Sequence, residues 1–397
     1  MNKKLKIKQE NGITLIALVV TIVVLLILAG VSISLVLNNN GVISKAKEAR
    51  DKYAEAQTND EKQLNEVSDW IKETVGDTTG GGSAGGSDYD PASDGVPIPA
   101  GFVYVGGTKA SGLVISDAAA DNEKYKGQST VGTDLVGNQF VWIPVDSIAD
   151  YKRTAYSPNV ATGTIDSTTN SEQIKYSSSD SYYFKEALPA DEKTSVETNK
   201  GFYIGRYEAG DQESTEAKTL REDGASTSNT ITVKAGQAPY NYVTRTQAKS
   251  LAEGFSTKQK YTSVKSKLVS SYAWDTAIAF IQKTNSDYGS SSEEGNYNDS
   301  PTFTYTGIAD TEKNKQTKEH GTSTLIPTGQ TTAVNNIYDM GGNVWEWTTE
   351  SCSYASYPCT NRGGDYSYDF AGYPAGYRSY DSDGAGGSIG FRCTLYL

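Results

Sequence analysis

Residues 13–37 form an uncharged apolar run, and this run constrains what the chain can fold into more than any other feature. As a helix with a rise of about 1.5 Å per residue, it spans roughly 37 Å, which is enough to cross a bilayer. A buried core helix is the disfavoured alternative, because so long an uncharged segment needs a large protein around it. Lys3, Lys4, Lys6 and Lys8 precede the run, so we expect a cytoplasmic N-terminus and a single-pass membrane protein.

Helical periodicity continues after the apolar run. Between Ile43 and Ile71 apolar residues recur at spacings of three and four, which predicts an amphipathic helix and extends the helical segment over 13–75. Its apolar stripe can pack against a later domain of the same chain or against neighbouring subunits, and the spacing does not distinguish these. The Gly-rich and Ser-rich segment 76–97 is typical of a flexible linker.

The N-terminus resembles that of type IV prepilins over the segment NGITLI at 11–16. The resemblance implies a leader over 1–12, cleavage after Gly12, N-methylation of Ile13 and packing against other pilin subunits. Prepilins usually carry Glu at the fifth mature position, where this chain has Ala17. A membrane anchor at the cell surface is therefore the alternative to incorporation into a pilus.

Composition limits the functions open to the chain. Lys and Arg total 36 against 48 Asp and Glu, giving a net charge of −12, which disfavours binding to nucleic acid. His320 is the one histidine, so His-based zinc sites and proton transfer have little to use. The chain has 27 Tyr, and a surface rich in Tyr, Gly and Ser suits recognition better than catalysis in a dry cleft.

Residues 98–397 are predicted to form one extracellular α+β domain with irregular sheets. Short apolar runs predict strands at 101–105, 139–144 and 201–208. Amphipathic spacing behind a Thr or Ser cap predicts two helices, at 246–255 and 271–282. Long polar segments predict surface loops at 154–182, 209–230 and 285–325.

Three C-terminal motifs make the fold prediction more specific. They are NIYDMGGNVWEW at 336–347, NRGG at 361–364 and IGFR at 389–392. In order and spacing they resemble the formylglycine-generating enzyme (sulfatase-modifying factor) family, a variant of the C-type lectin fold. The segment FYIGRYEAG at 202–210 is similar to an early strand of that family. The resemblance covers about 98–397 and implies irregular sheets with two helices.

The first motif offers oxygen atoms that could hold a metal. Members of the family often bind calcium here, and the resemblance implies the Asn343 side chain, the Val344 carbonyl and the Glu346 carboxylate as ligands. Hard oxygen donors suit calcium. The alternative is an internal hydrogen-bonded cluster in which Glu346 pairs with Arg362 or Arg392.

Catalysis is not expected. Catalytic members of the family hold copper on two cysteines, and this chain has Tyr368 and Tyr373 about where those cysteines would fall. Tyrosines do not replace thiolates for a soft metal, so we expect no copper, no catalytic residue and no formylglycine-forming activity. In an oxidising exterior Cys352 and Cys359 could form a disulfide and leave Cys393 unpaired, although other pairings remain open.

The window 365–388 has an unusual composition. It contains five Tyr, five Gly, four Asp and four Ser, but no Lys, Glu, Gln, Met or Trp. Each of its residues can be reached from an Asn codon by changing the adenines. The window resembles the variable region of proteins diversified by diversity-generating retroelements, which also precedes a terminal GFR-like segment. The alternative is an ordinary Tyr-rich loop of a lectin-like surface.

The sequence therefore predicts a ligand-binding face on a surface-displayed protein. Its partner would be a variable protein or glycan ligand on another cell or a phage. The residues expected to make contact are Asp365, Tyr366, Tyr368, Asp369, Phe370, Tyr373, Tyr377, Tyr380, Asp381 and Asp383. Two alternatives stay open: a structural minor pilin with a fixed C-terminal domain, and an enzyme of the formylglycine-generating family.

Overall fold

The computed structural model describes residues 89–156, 161–166, 171–175, 180–211, 230–307 and 315–397; for 161–166, 171 and 172 it describes the backbone alone. The predicted leader, membrane helix and amphipathic stripe, together with most of the predicted linker, lie outside these residues. Within the described ranges, no helix is long and apolar enough to cross a membrane.

Two sheets carry the described fold. The strands of the first are β1 (Val103–Gly106), β2 (Val114–Ser116), β3 (Gln139–Pro144), β7 (Gly201–Gly205), β10 (Lys265–Leu268) and β17 (Cys393–Tyr396). They pair antiparallel in the order β1-β2-β3-β7-β17-β10. The strands of the second are β4 (Ala161–Asp166), β5 (Ser171–Lys175), β6 (Phe184–Glu186), β13 (Trp345–Cys352), β14 (Cys359–Arg362), β15 (Arg378–Asp381) and β16 (Ile389–Phe391). Their order is β15-β14-β13-β6-β5-β4, and β16 adds to β13 in parallel.

The first sheet is buried on both faces. Along β3, Phe140 and Trp142 enter one hydrophobic core, whereas Val141 and Ile143 enter the other. Successive side chains of a strand point to opposite faces, so this alternation places a core on each side of the sheet. Two short pairs lie outside the two large sheets: β8 (Gly210–Asp211) with β9 (Ile231–Thr232), and β11 (Phe303–Thr306) with β12 (Lys315–Lys318).

Both predicted helices are present. We number the helices α1 (Ala190–Asn199), α2 (Arg245–Lys258) and α3 (Ser271–Ile281). Thr244 caps α2 in a capping box with Gln247, and Ser270 caps α3 by accepting the amide of Ala273. The apolar side of α2 joins the core that holds Trp142, while α3 joins the other core, so each helix covers one face of the first sheet.

Helix α1 and several strands were not predicted. The buried residues of α1 are Glu192, Ser195 and Val196, which give no apolar stripe to detect. Strands β4 and β5 lie in the segment 154–182, and β11 and β12 in 285–325, both of which were predicted as loops. β4 and β5 end the strand order of the second sheet, and β11 and β12 form a separate two-stranded pair, so the loop prediction for these residues is wrong.

Candidate ligand-binding surface

Strand β13 brings the three C-terminal motifs together. Glu346 on β13 lies opposite Arg362 on the antiparallel β14 and opposite Gly390 on the parallel β16. Arg392 follows directly after β16 and begins the return into the first sheet. Motifs that are far apart in sequence are therefore neighbours across one sheet.

Glu346 and Arg392 form a fully buried ion pair. Nη2 of Arg392 lies 2.7 Å from Oε1 of Glu346, and Nε lies 3.0 Å from Oε2. Arg392 also donates to the carbonyls of Gly205, on β7, and Tyr338. Burial raises the pKa of Glu346 to about 7, and the positive charge of Arg392 limits that rise. The pair therefore ties the second sheet to the first through one guanidinium.

Asn343 lies beside this pair and faces inward. Its backbone adopts a left-handed conformation with φ of 58°, one that Asn tolerates better than most residues. Its Oδ1 accepts hydrogen bonds from Nδ2 of Asn296 at 3.0 Å and from the Ile326 amide at 3.2 Å. Its Nδ2 donates to the carboxylate of Glu208, and burial raises the pKa of Glu208 well above its usual value. The amide is thus bonded on both sides by protein groups.

These contacts bear on the predicted calcium site at Asn343, Val344 and Glu346. The side chains of Asn343 and Glu346 direct their oxygens at protein donors. A cation bound to Glu346 would also be repelled by the adjacent Arg392 guanidinium. The residues present fit an internal hydrogen-bonded cluster better than a calcium site. Within the described residues no group of three or more His, Cys, Asp or Glu side chains could hold a metal ion. Calcium binding at these residues stays a prediction.

A second buried network joins three arginines to two carboxylates. Arg362 bonds Asp275 through Nη2 at 2.6 Å, and Nε of Arg378 lies 3.1 Å from both oxygens of Glu350. Arg378 also bonds Asp275, and Arg153 bonds Glu350. The exposed fraction of all five side chains is 0–1%. Burial alone would raise the pKa of Glu350, but the three arginines outweigh it and lower the pKa to about 2. Glu350 is therefore ionised at neutral pH.

This network was not predicted from the sequence. Asp275 offered a signal, because it is a single carboxylate within the apolar helix α3. A buried charge needs a partner, so such a residue predicts an arginine nearby without saying which one. Arg378 gave no such signal, since it lies in the Tyr-rich window and its location does not distinguish an inward side chain from an outward one.

Part of the window is structural. Asp365 was expected on the binding face, but it is only 2% exposed and its Oδ1 accepts from the amide and hydroxyl of Ser367. Ala375 is also buried, with its amide bonded to Ser292 and its carbonyl to the indole of Trp274. Asp365 is therefore corrected from a contact residue to a residue that shapes the loop.

Three of the predicted contact tyrosines surround one buried indole. The ring centroids of Tyr368, Tyr373 and Tyr377 lie 5.9, 6.0 and 6.0 Å from that of Trp345. Tyr373 also lies 4.2 Å from Tyr368 and 5.0 Å from Tyr377. Tyr368 is 39% exposed. We call Tyr368, Tyr373 and Tyr377 the Trp345 group.

A second set of rings surrounds Tyr380 on β15. The centroid of Tyr380 lies 4.7 Å from Tyr182, 5.6 Å from Tyr354 and 5.9 Å from Tyr357. We call these four residues the Tyr380 group. Tyr182, Tyr354 and Tyr357 lie outside the window and were missed from sequence. Two tyrosines in the small, polar segment SYASYP at 353–358 were the available signal, since apolar rings in such a loop have little core to enter.

The remaining predicted contact residues lie at the surface of the window. Asp369 and Asp383 are exposed, while Tyr366, Phe370 and Asp381 are partly exposed. Asp369 accepts the amide of Gly372, and Asp383 accepts the amide of Thr246 in the first turn of α2. The structure therefore brings the predicted residues other than Asp365 to accessible positions on the same part of the chain.

The cysteines lie at separate buried positions and are all free thiols. Cys359 lies opposite Ser351, so Cys352 points to the other face of the sheet. Cys352 packs with Ile174 and Phe184, whereas Cys359 packs in the core that holds Trp142. The predicted Cys352–Cys359 disulfide is therefore wrong. Burial raises the pKa of each of the three thiols.

Comparison with known proteins gives one family match. A model described as "Sulfatase-modifying factor enzyme 1-like domain" matches residues 162–396. No curated protein matches the chain.

Three solved structures are similar in part. Treponema denticola variable protein 1 is 13% identical over 68% of this chain and 98% of its own, with a TM-score of 0.32. PvdO from Pseudomonas aeruginosa is 15% identical over 61% of this chain and 100% of its own, with a TM-score of 0.29. The crystal structure of CarF is 15% identical over 50% of this chain and 87% of its own, with a TM-score of 0.33.

Proposed function

We propose a function for this chain, which belongs to the family of sulfatase-modifying factor enzyme 1-like domains. It is a surface-displayed ligand-binding protein whose window 365–388 is diversified by a retroelement. The observation that carries this proposal is the division of the window into two parts. Residues such as Arg378 and Ala375 are buried in the folded domain, while Tyr368, Tyr373 and their neighbours lie at the surface. The side chains at the surface can change while the buried ones keep the domain folded.

The chemistry of the displayed part suits recognition. A tyrosine offers a large, amphipathic contact area and restricts only two side-chain torsions on binding, whereas Ser, Gly and Asp provide adaptable polar contacts. The Trp345 group adds rigidity, since each of its rings packs against a buried indole. The absence of Lys, Glu, Gln, Met and Trp from the window supports adenine-directed diversification, because these residues need codons that end in a purine.

Binding rather than copper-dependent catalysis fits the residues present. The positions expected for copper-binding cysteines carry Tyr368 and Tyr373. Cys352 and Cys359 lie on opposite faces of a sheet, and Cys393 is in the core. Copper needs thiolates that can converge, and these three thiols do not. We therefore propose no enzymatic step for this domain.

Display at the cell surface is part of the proposal. The uncharged run 13–37 would hold the chain in the membrane, and the prepilin-like segment at 11–16 would allow entry into a pilus after cleavage behind Gly12. The Gly-rich segment 76–97 would let the domain reach a ligand away from the membrane. The ligand would be a protein or glycan on another cell or a phage.

The test of diversification is deep sequencing of the last 40 codons across descendants of one clone of the source organism. We expect substitutions at the displayed positions, including Tyr368, Asp369, Tyr373 and Tyr380. We expect none at Gly390, Phe391 and Arg392, since these residues belong to the strand pairing and the buried ion pair. An invariant window, with no template-like copy of these codons nearby, would overturn the proposal.

A further inference from the structure

We propose that the binding surface extends beyond the diversified window onto a fixed aromatic platform, and that it receives a protein surface presenting Arg or Lys side chains. The platform consists of Tyr182, Tyr354 and Tyr357, which meet the window at Tyr380. This inference rests on the proposed binding function and adds a part of the site that does not vary, together with the chemistry of the partner.

The first support is where apolar surface is exposed. Among the described residues, the large hydrophobic side chains that are exposed are Val136 at 59%, Tyr354 at 43%, Tyr357 at 41% and Tyr368 at 39%. The three tyrosines belong to the two groups defined above, and Val136 lies in a separate loop. Apolar rings collected at one place on a surface indicate a contact site more strongly than the same rings scattered singly.

The second support is the rigidity of the platform. Tyr182 and Tyr380 pack on a small core of Ile174, Phe184 and Cys352 beneath them. Tyr354 stacks nearly parallel to Tyr182, with an interplanar angle of 18° and a centroid distance of 6.2 Å. The turn that carries Tyr354 is closed by the Tyr357 amide, which donates to the Tyr354 carbonyl at 2.9 Å. Rings that are already fixed lose little conformational entropy on binding.

The third support is continuity between the two tyrosine groups. Tyr377 belongs to the Trp345 group, and its neighbours Tyr373 and Tyr380 lie on either side of it in the chain. The Tyr377 ring lies 5.0 Å from that of Tyr373, and Tyr377 directly precedes β15, which carries Tyr380 and is the edge strand of the second sheet. The Trp345 group and the Tyr380 group therefore meet along this edge of the sheet, where one partner can contact rings from both.

Charge identifies the partner. The window carries four Asp and one Arg, but the Arg378 charge is buried and compensated by Glu350 and Asp275. Asp369, Asp381 and Asp383 remain accessible, so the displayed charge of the window is negative. A guanidinium or ammonium group would find both carboxylates and the faces of tyrosine rings, which attract cations. For the window as it stands in this chain, a partner that presents Arg or Lys side chains therefore fits better than an acidic or neutral one.

The experiment measures binding of a defined cationic probe to the full chain in a neutral detergent. The probe is a fluorescein-labelled peptide that alternates arginine and glycine, followed by fluorescence anisotropy. The same peptide with citrulline in place of arginine tests the charge, and chitohexaose as a competitor tests a glycan. Four proteins are compared: the parent chain, Tyr354→Ser/Tyr357→Ser, Tyr368→Ser and the control Val136→Ser, which removes the exposed apolar residue away from the platform.

We expect the arginine peptide to bind more tightly than the citrulline peptide. We expect Tyr354→Ser/Tyr357→Ser, which removes two rings, to weaken binding by about 30-fold and Tyr368→Ser, which removes one, by about fivefold, since a cation–π contact is worth on the order of 1 kcal/mol per ring. Val136→Ser should leave binding unchanged.

Three results would overturn the inference. If Tyr368→Ser weakens binding while Tyr354→Ser/Tyr357→Ser does not, the site ends at the window and only the extension fails. If both peptides bind equally, or neither binds, the cationic partner is wrong. If chitohexaose displaces the probe from the parent chain but not from the tyrosine variants, the surface is a glycan site. The proposed function is tested separately, by the variation in the window.

Discussion

Arg378 lies between Tyr377 and Ser379 in the window, but its side chain points into the molecule. It bonds Glu350 and Asp275 and donates to the Thr154 carbonyl at 2.8 Å. Composition places Arg378 in the same window as its displayed neighbours without showing that it is buried, because a pattern of residue types does not contain the direction of a side chain. The same limit explains Asp365, which was predicted as a contact residue and is buried.

Arg378→Ser is expected to destabilise the domain, whereas Tyr368→Ser is not. Serine removes the hydrogen bonds to two buried carboxylates and leaves a cavity, which should lower the free energy of unfolding by on the order of 3 kcal/mol. Tyr368→Ser should change it by less than about 1 kcal/mol, since the ring is partly exposed. Urea unfolding followed by tryptophan fluorescence measures both. Equal stabilities of the two variants would contradict a structural role for Arg378.

At the scale of elements, hydrophobic periodicity predicted the helices that pack against a core and missed polar helices and strands. Helices α2 and α3 were predicted because their apolar residues face the first sheet. Helix α1 and strands β4 and β5 were missed because their sequences are polar. The sequence also left the partner of Glu346 open between Arg362 and Arg392. The return of the chain from β16 into β17 decides this, because it places Arg392 beside Glu346 between the two sheets.

Glu346→Gln tests whether the contact between the two sheets at Glu346 depends on the ion pair with Arg392 or on calcium. Glutamine keeps the shape but leaves the Arg392 charge buried without an anion, so we expect the free energy of unfolding to fall by about 3–5 kcal/mol. The loss should be the same in EDTA and in millimolar calcium, because a guanidinium, not a metal, faces the carboxylate. Thermal unfolding in both buffers gives the comparison. A parent chain that melts higher in calcium, with no such response from Glu346→Gln, would establish the calcium site instead.

At the scale of the whole molecule, the described domain combines a strongly acidic sequence with buried carboxylates in two opposite electrostatic environments. Glu350 is surrounded by arginines and has a pKa of about 2. Both carboxylate oxygens of Glu186 accept hydrogen bonds, Oε2 from Ser271 and Oε1 from Thr349. Burial and the nearby Glu350 charge nevertheless raise its pKa to about 7. Net charge and composition could not predict this division, because it depends on which carboxylate meets an arginine in the folded state.

The two carboxylates predict a maximum of stability in mildly acidic solution. Glu186 has a higher pKa when folded than its usual value of 4.5, so its contribution is complete below pH 4.5 and is lost as the pH rises towards 7. Glu350 has the opposite shift, so its contribution is present above pH 4.5 and is lost as the pH falls towards 2. We therefore expect the free energy of unfolding, measured in urea, to be highest near pH 4.5. Glu186→Gln should reduce the decline between pH 4.5 and 7, since glutamine does not titrate. An unchanged decline in that variant would mean that other groups, Glu346 among them, set the pH dependence of the fold.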